Sequence, residues 1–360
     1  MSSDTATGTN KRLLLYGATG YTGRLTAELA AAKKLDVVLA GRNKTALAEL
    51  GNRLGLPTRV VELNDAKQLS EALKDVACVV HMAGPFAATF SQMLNACLVT
   101  KTNYVDITGE IEVFEAMWSR KEEILQAGIT VVPGSGFDVV PTDCIAGYLA
   151  GKLERPASLV IALRGLESAS QGTLRTAIRQ ISKPILCRRA GSIVALDDRS
   201  PRWIDFGSGG EPCIPVSWGD VATALYSTGI GDITVYFRRT KLLQSAYIFG
   251  KLLRPLLRSR IGQRGLAAVV NGFPGGPSRA DRAGHSSTIL AEAIDWSGRS
   301  IKARLTTPDP YDFTANSALE ISSRVISQPV ALGPVTPFKA FGADFVLSLP
   351  GCSRMDLGFS

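Results

Sequence analysis

Three glycines stand three residues apart in the run Gly17-Ala18-Thr19-Gly20-Tyr21-Thr22-Gly23. This spacing suits phosphate binding. The first glycine permits a tight turn, the second lets the backbone approach a ligand, and the third lets a helix pack close to the preceding strand. The free N–H groups of a helix that starts here would face the oxygens of a diphosphate. Gly17, Thr19, Gly20, Tyr21, Thr22 and Gly23 are therefore candidate residues for holding a dinucleotide. The alternative is a bare strand-to-helix turn.

The next chemical signal closes the second strand. There the chain reads Ala40-Gly41-Arg42-Asn43-Lys44, with no Asp or Glu to take both ribose hydroxyls as an NAD site would. Arg42 can clamp a 2′-phosphate and stack on adenine, with Asn43 beside it, so NADP(H) is expected in preference to NAD(H). Asp65, past the third strand, is placed to touch the adenine amino group. Ala83, Gly84 and Pro85 supply a close wall for the nicotinamide ribose.

Hydride chemistry needs a proton donor or acceptor opposite the nicotinamide. Tyr104, Asp106 and Glu110 end a strand at the ligand-binding edge and are candidates, although both acids also suit capping. Phe137 and Asp138 lie where two domains meet, and Glu110 and Phe137 are candidates to line the substrate site. Asp138 can donate a proton if burial raises its pKa, or can tie its turn together. Thr173, Arg175 and Thr176 form a polar segment for substrate, with Arg175 suited to a carboxylate or phosphate. His81 reads as a buried, satisfied residue. Ser135, Tyr148 and Lys152 have the spacing of short-chain dehydrogenases, but Tyr247 and Lys251 repeat it by chance.

These residues need a scaffold, and the first 135 residues provide the pattern for one. Short apolar runs at 12–16, 37–40, 59–63, 77–82, 104–107 and 129–132 alternate with helical patterns, including 25–33, 44–54, 89–99 and 112–127. That alternation marks βαβ units and a parallel sheet. After Pro133 a helix near 143–153 leads to longer alternating runs at 158–163, 233–237, 286–295 and 300–306, which suit a mixed or antiparallel sheet. Gly- and Pro-rich stretches at 207–215 and 272–278 read as loops. The fold class is α/β, a Rossmann-type domain over 11–134 followed by an α+β substrate or dimerisation domain over 135–332. Residues 1–10 read as a flexible leader, and 333–360 as a helical tail packing back on the first domain.

Composition narrows the setting. Apolar residues make up 45% and charged residues 20% of 360, enough for a large core. No apolar run reaches the roughly 18 residues that span a bilayer, and the polar start has no secretory signal. Six scattered cysteines and two histidines point to reduced thiols, no metal and a cytoplasmic setting. The net charge of +8 is concentrated at 238–264, which holds eight Lys or Arg and no acid. The apolar residues there recur at helical spacing. The segment suits either a core-facing helix with a basic outer side, or a helix docking on a membrane surface or acyl carrier. Nucleic acid is not an expected partner, since no module for it accompanies the charge.

With these motifs in hand, the chain resembles the saccharopine dehydrogenase-like oxidoreductase family, including its trans-acting enoyl reductase branch. The carrying segments are 17–23, Ala40-Gly41-Arg42, Ala83 to Phe86, Tyr104 to Glu110, Pro133 to Asp143, Gly172 to Thr176, Gly333 to Pro337, and Phe341-Gly342. The resemblance implies NAD(P)-linked chemistry at C–N bonds, as in some members, or reduction of C=C bonds in lipid-like intermediates, as in others. No arginine array for an amino-dicarboxylate is recognisable. The expectation is an NADP(H)-dependent reductase of a C=N or C=C bond in a partly apolar small molecule, free or carrier-bound, with a homodimer compatible. The alternatives are a membrane-associated dinucleotide binder without turnover, and a short-chain-type carbonyl reductase using Ser135, Tyr148 and Lys152.

Overall fold

Apolar tetrapeptides flanked by amphipathic helices fill the first third of the chain, and they fold as expected. The computed structural model describes residues 11–165, 170, 183–240 and 275–359. Strands β1 (Leu13–Tyr16), β2 (Val37–Gly41), β3 (Thr58–Val60), β4 (Cys78–His81), β5 (Asn103–Asp106) and β6 (Thr130–Val132) pair in parallel in the order β3-β2-β1-β4-β5-β6. Every residue of β1, β2 and β4 is buried. This is why they read as continuous rather than alternating apolar runs: helices cover both faces of the sheet. The crossovers are α1 (Tyr21–Ala32), α2 (Lys44–Leu54), α3 (Ala66–Leu73), α4 (Phe90–Thr100), α5 (Ile111–Ser119) and α6 (Lys121–Ala127). The single helix expected over 112–127 breaks at Arg120, and α3 was not anticipated.

The second sheet is mixed. It contains β7 (Pro156–Arg164), β8 (Leu186–Arg189), β9 (Ser192–Ala195), β10 (Arg202–Asp205), β11 (Gly210–Val216), β12 (Asp232–Arg238), β13 (Ser286–Asp295) and β14 (Ser300–Pro308). β7 and β12 run parallel, and the other pairs are antiparallel. The stretch 207–215, read as a loop, is largely β11. This strand pairs with β10 over 210–213 and with β12 over 213–216, so Pro212 and Pro215 each have a side that needs no ladder bond. Helix α7 (Val140–Ala150) packs on β13 and β14, and α8 (Asp220–Thr228) packs on α7. The inward side chains Ile289, Ala291, Ala293 and Ile301 are buried beneath them.

The chain then returns to the first sheet. After the short helix α9 (Arg279–Arg282) and the β13–β14 hairpin, α10 (Pro310–Ser327) packs against α1, β4 and β5. Strand β15 (Gly333–Pro334) adds a seventh parallel strand beside β6. Helix α11 (Pro337–Phe341) packs on α7, and β16 (Ser353–Phe359) crosses back to pair with β14. Residues 310–332, assigned from sequence to the second domain, thus complete the first together with Gly333 and Pro334 of the tail. The tail divides between the two sheets and ends in a strand, where a helix was expected. Tertiary packing decides this: the apolar side of α10, with Phe313, Ala318 and Leu319 buried, covers the parallel sheet. One apolar cluster runs from Leu15 and Val80 through Phe137 and Val140 to Ile161 and Ile289, joining both domains.

Candidate active site

Strand order reverses between β1 and β4, and in open parallel sheets ligands bind in the crevice outside such a point. Gly17 follows β1 with φ +88°, and a Cβ there would stand 2.9 Å from the backbone of Met82 and Ala83. A Cβ on Gly23 would come within 2.2 Å of the Gly17 carbonyl oxygen. The loop therefore closes against the β4 loop, and α1 lies hard on β1. Gly20 is the N-cap of α1, caps it with no side chain, and is followed by no acidic residue in the first turn. The positive end of the helix is left open to an anion, with no carboxylate competing. Residues 17–23 fit a diphosphate.

Arg42 follows β2 as an exposed side chain whose charge reaches the buried Tyr16 hydroxyl. Two neighbouring candidates already have structural duties. Asn43 caps α2 by accepting the Ala46 N–H at 3.1 Å, and Asp65 caps α3 by accepting the Gln68 N–H at 2.9 Å. Tyr21 turns its hydroxyl to the second domain, donating to the Pro277 carbonyl oxygen at 2.5 Å. The wall Ala83-Gly84-Pro85, with a cis Gly84–Pro85 bond, is held from two sides. Glu110 accepts the N–H groups of Phe86 and Ala87 at 2.8 and 2.9 Å, and Thr89 donates its hydroxyl to the Ala83 carbonyl oxygen at 2.7 Å. With that proton spent, Thr89 accepts from His81 Nε2 at 3.1 Å, leaving His81 Nδ1 unprotonated and without a partner among the described residues. Burial pulls the His81 pKa down to about 3, so the ring is neutral.

Four expected site residues are held in scaffold contacts. Asp106 is fully buried and accepts the Tyr104 hydroxyl at 2.7 Å, the Thr108 N–H at 3.0 Å and the Gly134 N–H at 2.9 Å. Burial raises its pKa to about 6, with these hydrogen bonds opposing the rise. Tyr104 is equally sealed, and burial lifts its pKa well above the ordinary phenol range. The pair knots the β5 and β6 loops together, out of reach of a substrate. Glu110, expected at the substrate, instead holds the 84–87 wall. Phe137, also expected there, is 2% exposed, stacks edge-on against Phe313 and donates its N–H to Thr314 Oγ1 at 3.0 Å.

Asp138 is different. It ends the turn after β6, a turn that Asp106 holds from one side while α10 holds it from the other through Thr314 and Ser317. Its carboxyl lies against Gly109, where a Cβ would stand 2.6 Å from Oδ2. The residue is half-buried, and its carboxyl has no hydrogen-bond partner among the described residues. Burial foremost, and then the nearby Glu110 charge, push its pKa up to about 7. Asp138 is the one sequence-expected acid that combines access, a rigid mount and a proton exchangeable near neutrality.

Sequence reasoning missed the acids behind it. Asp143 accepts the Ser227 hydroxyl and, at 2.8 Å, the Phe338 N–H, which ties α7 to α8 and α11. Asp220 opens α8 with both carboxyl oxygens buried and unpartnered among the described residues, and burial raises its pKa well above the ordinary range. The nearby Thr142 hydroxyl donates to the Val139 carbonyl oxygen at 2.9 Å. The local signal was an acid in the first turn of a helix, in the Ser217-Trp218-Gly219-Asp220 run 80 residues downstream of the crevice motifs.

The short-chain dehydrogenase constellation does not assemble. Ser135 is fully buried and donates to the Val132 carbonyl oxygen at 2.9 Å. Tyr148 and Lys152 both bind Asp356 of β16, at 2.8 and 2.5 Å, and Arg354 lies over the Tyr148 ring. Their i, i+4 spacing serves to anchor the last strand on α7. Thr173, Arg175 and Thr176 lie outside the described residues, as do the leader 1–10 and all of 238–264 beyond Thr240. Among the described residues no helix is long and apolar enough to cross a membrane.

Comparison with known proteins agrees with this geometry. Residues 13–132 match the saccharopine dehydrogenase NADP binding domain family. The bovine saccharopine dehydrogenase-like oxidoreductase is 26% identical over 180 residues, 44% of this chain and 42% of that protein. A trans-acting enoyl reductase of Mycobacterium leprae is 30% identical over 139 residues, 36% of this chain and 33% of that protein. These matches therefore span less than half of each relative. In three dimensions the apo saccharopine dehydrogenase (L-Glu forming) of Saccharomyces cerevisiae superposes with a TM-score of 0.65 at 13% identity, covering 97% of this chain and 100% of that one, which establishes a shared fold. Residues 13–132 thus match the saccharopine dehydrogenase NADP binding domain, and the chain as a whole shares the fold of a saccharopine dehydrogenase.

Proposed function

We propose that this protein is an NADP(H)-dependent oxidoreductase that reduces a C=N or C=C bond of a partly apolar small molecule by hydride transfer. Residues 17–23 bind the diphosphate through the open end of α1, Arg42 takes the 2′-phosphate, and the 83–85 wall sets the ribose at the crevice. When bound, the reduced nicotinamide supplies the hydride. Asp138 supplies the proton: with a pKa near 7 it is protonated in a substantial fraction of molecules at neutral pH, and its buried mount fixes its position. The observation that carries the reading is this half-buried carboxyl, unpartnered among the described residues, beside a cradle fit for a dinucleotide.

The test is calorimetric titration of NADPH and NADH into wild type and Arg42→Ala, followed by NADPH consumption with panels of imines and enoyl thioesters. NADPH is expected to bind more tightly than NADH, and Arg42→Ala to remove most of the difference. Equal affinity of wild type for both coenzymes overturns the NADP(H) assignment. Failure to retain either at millimolar concentration overturns the whole reading.

A further inference from the structure

Tyr21 is the first residue of α1, yet its side chain is built into the second domain. The ring lies edge-on to Tyr311, with centroids 4.9 Å apart, and the Gly276 backbone passes so close that a Cβ there would stand 2.5 Å from the ring. The Tyr21 hydroxyl donates to the Pro277 carbonyl oxygen and accepts from Arg282 Nη1 at 2.7 Å. Arg282 is 9% exposed, donates Nε to Asp312 at 2.9 Å and also reaches the Pro277 carbonyl oxygen at 3.1 Å. Asp312 stands in the first turn of α10, which itself packs on α1. The strap from Gly275 to Arg282 is pinned by its own capping box between Ser278 and Asp281. Segments more than 250 residues from Tyr21 thus converge on one phenol. That phenol belongs to the residue whose backbone opens the diphosphate helix.

The Arg282 charge is neutralised by Asp312, so it acts by geometry rather than by long-range field. Its planar fork meets two acceptors and a carboxylate at once, an arrangement a lysine cannot copy. We propose that Arg282 is a positioning residue for the coenzyme site: through the Tyr21 hydroxyl it fixes the first turn of α1, so seating of the 275–282 strap and binding of the diphosphate strengthen each other. Linkage makes this reciprocal, since whatever the strap adds to coenzyme affinity, the coenzyme adds to seating of the strap. The proposal rests on residues 17–23 being the diphosphate site.

The experiment titrates NADPH into the full-length wild type, Tyr21→Phe, Arg282→Lys and Arg282→Ala, and follows amide hydrogen exchange of Ser278 to His285 with and without NADPH. Tyr21→Phe keeps the ring packing and loses both hydrogen bonds, so NADPH binding should weaken about five- to tenfold. Arg282→Ala should weaken it at least as much, with Arg282→Lys between. In wild type NADPH should slow exchange at the strap, and in Tyr21→Phe this protection should vanish. A purely structural role would not produce coenzyme-dependent protection. Unchanged NADPH affinity in folded Tyr21→Phe and Arg282→Lys overturns the proposal, as does a strap whose exchange ignores NADPH. If wild type itself fails to bind NADPH, the dinucleotide reading falls together with it; binding by wild type with indifferent variants removes the proposal alone.

Discussion

Replacing Asp138 with asparagine separates what the carboxyl contributes to chemistry from what it costs the fold. Burial and the Glu110 charge raise its pKa from 3.8 to about 7. The folded value lies above the unfolded one, so between about pH 4 and 7 the folded protein holds a proton that the unfolded chain has released. Stability therefore falls as pH rises through that window, and the loss is complete above the folded pKa. A shift of about 3 pK units corresponds to about 4 kcal/mol, and partial water access to the side chain reduces this to about 2–4 kcal/mol. Asparagine carries no charge to desolvate. Asp138→Asn should accordingly be more stable than wild type by that amount at pH 8, with the advantage vanishing near pH 4. Urea unfolding at pH 8, 6.5 and 5 measures it, and NADPH affinity should be unaltered while turnover drops about 10²- to 10⁴-fold. Coincident unfolding midpoints of the two proteins at pH 8 would refute the desolvation argument, and full turnover in the variant would remove Asp138 from the chemistry.

Other perturbations follow from the same geometry. Gly23→Ala forces a methyl to within 2.2 Å of the Gly17 carbonyl oxygen, so α1 must lift; thermal unfolding should show a loss of about 1–3 kcal/mol, and calorimetry an absence of coenzyme binding. Tyr148→Phe should leave coenzyme binding and turnover intact and cost about 1 kcal/mol or less, since it removes only a partly exposed tie to Asp356; an inactive but folded variant would restore the short-chain mechanism. His81 has a folded pKa of about 3 against 6.5 for the free side chain, so its contribution is fully present above pH 6.5 and is lost as pH falls. The stability gap between wild type and His81→Asn should narrow by about 1.4 kcal/mol per pH unit from 6.5 towards 4 in denaturant titrations.

What could be read in advance, and what could not, divides along contact distance. The parallel strands were legible because burial on both faces leaves continuous apolar runs, and the glycine turn because each glycine meets a neighbour a few residues away or on the adjacent strand. The positions of Arg42, exposed after β2, and of Asp138, in the turn after β6, were also legible. The duties of Asp106, Glu110 and Phe137 were not. Their partners are Gly134, the Phe86 and Ala87 amides, and Thr314, and no local pattern distinguishes a carboxylate that anchors loops from one that transfers protons. Asn43 and Asp65 show the same ambiguity at short range, since a cap and a ligand contact use the same residue types. Asp220 and Arg282 escaped because the groups around them come from far along the chain. The proline-bearing strand β11 escaped because proline suppresses strand signals even where one side of the strand is free.

The return of the chain through α10 and β15 has a consequence for motion. The polypeptide passes between the layers after β6, again between β14 and α10, and a third time between β15 and β16. No single scission frees one layer from the other, and a fragment ending at residue 134 lacks both an edge strand and the helix that roofs β4 and β5. Tilting one layer on the other would have to bend three connections in concert, which favours slight sliding over broad hinge opening. Access to the crevice then depends on surface segments around its mouth, while the floor stays nearly still.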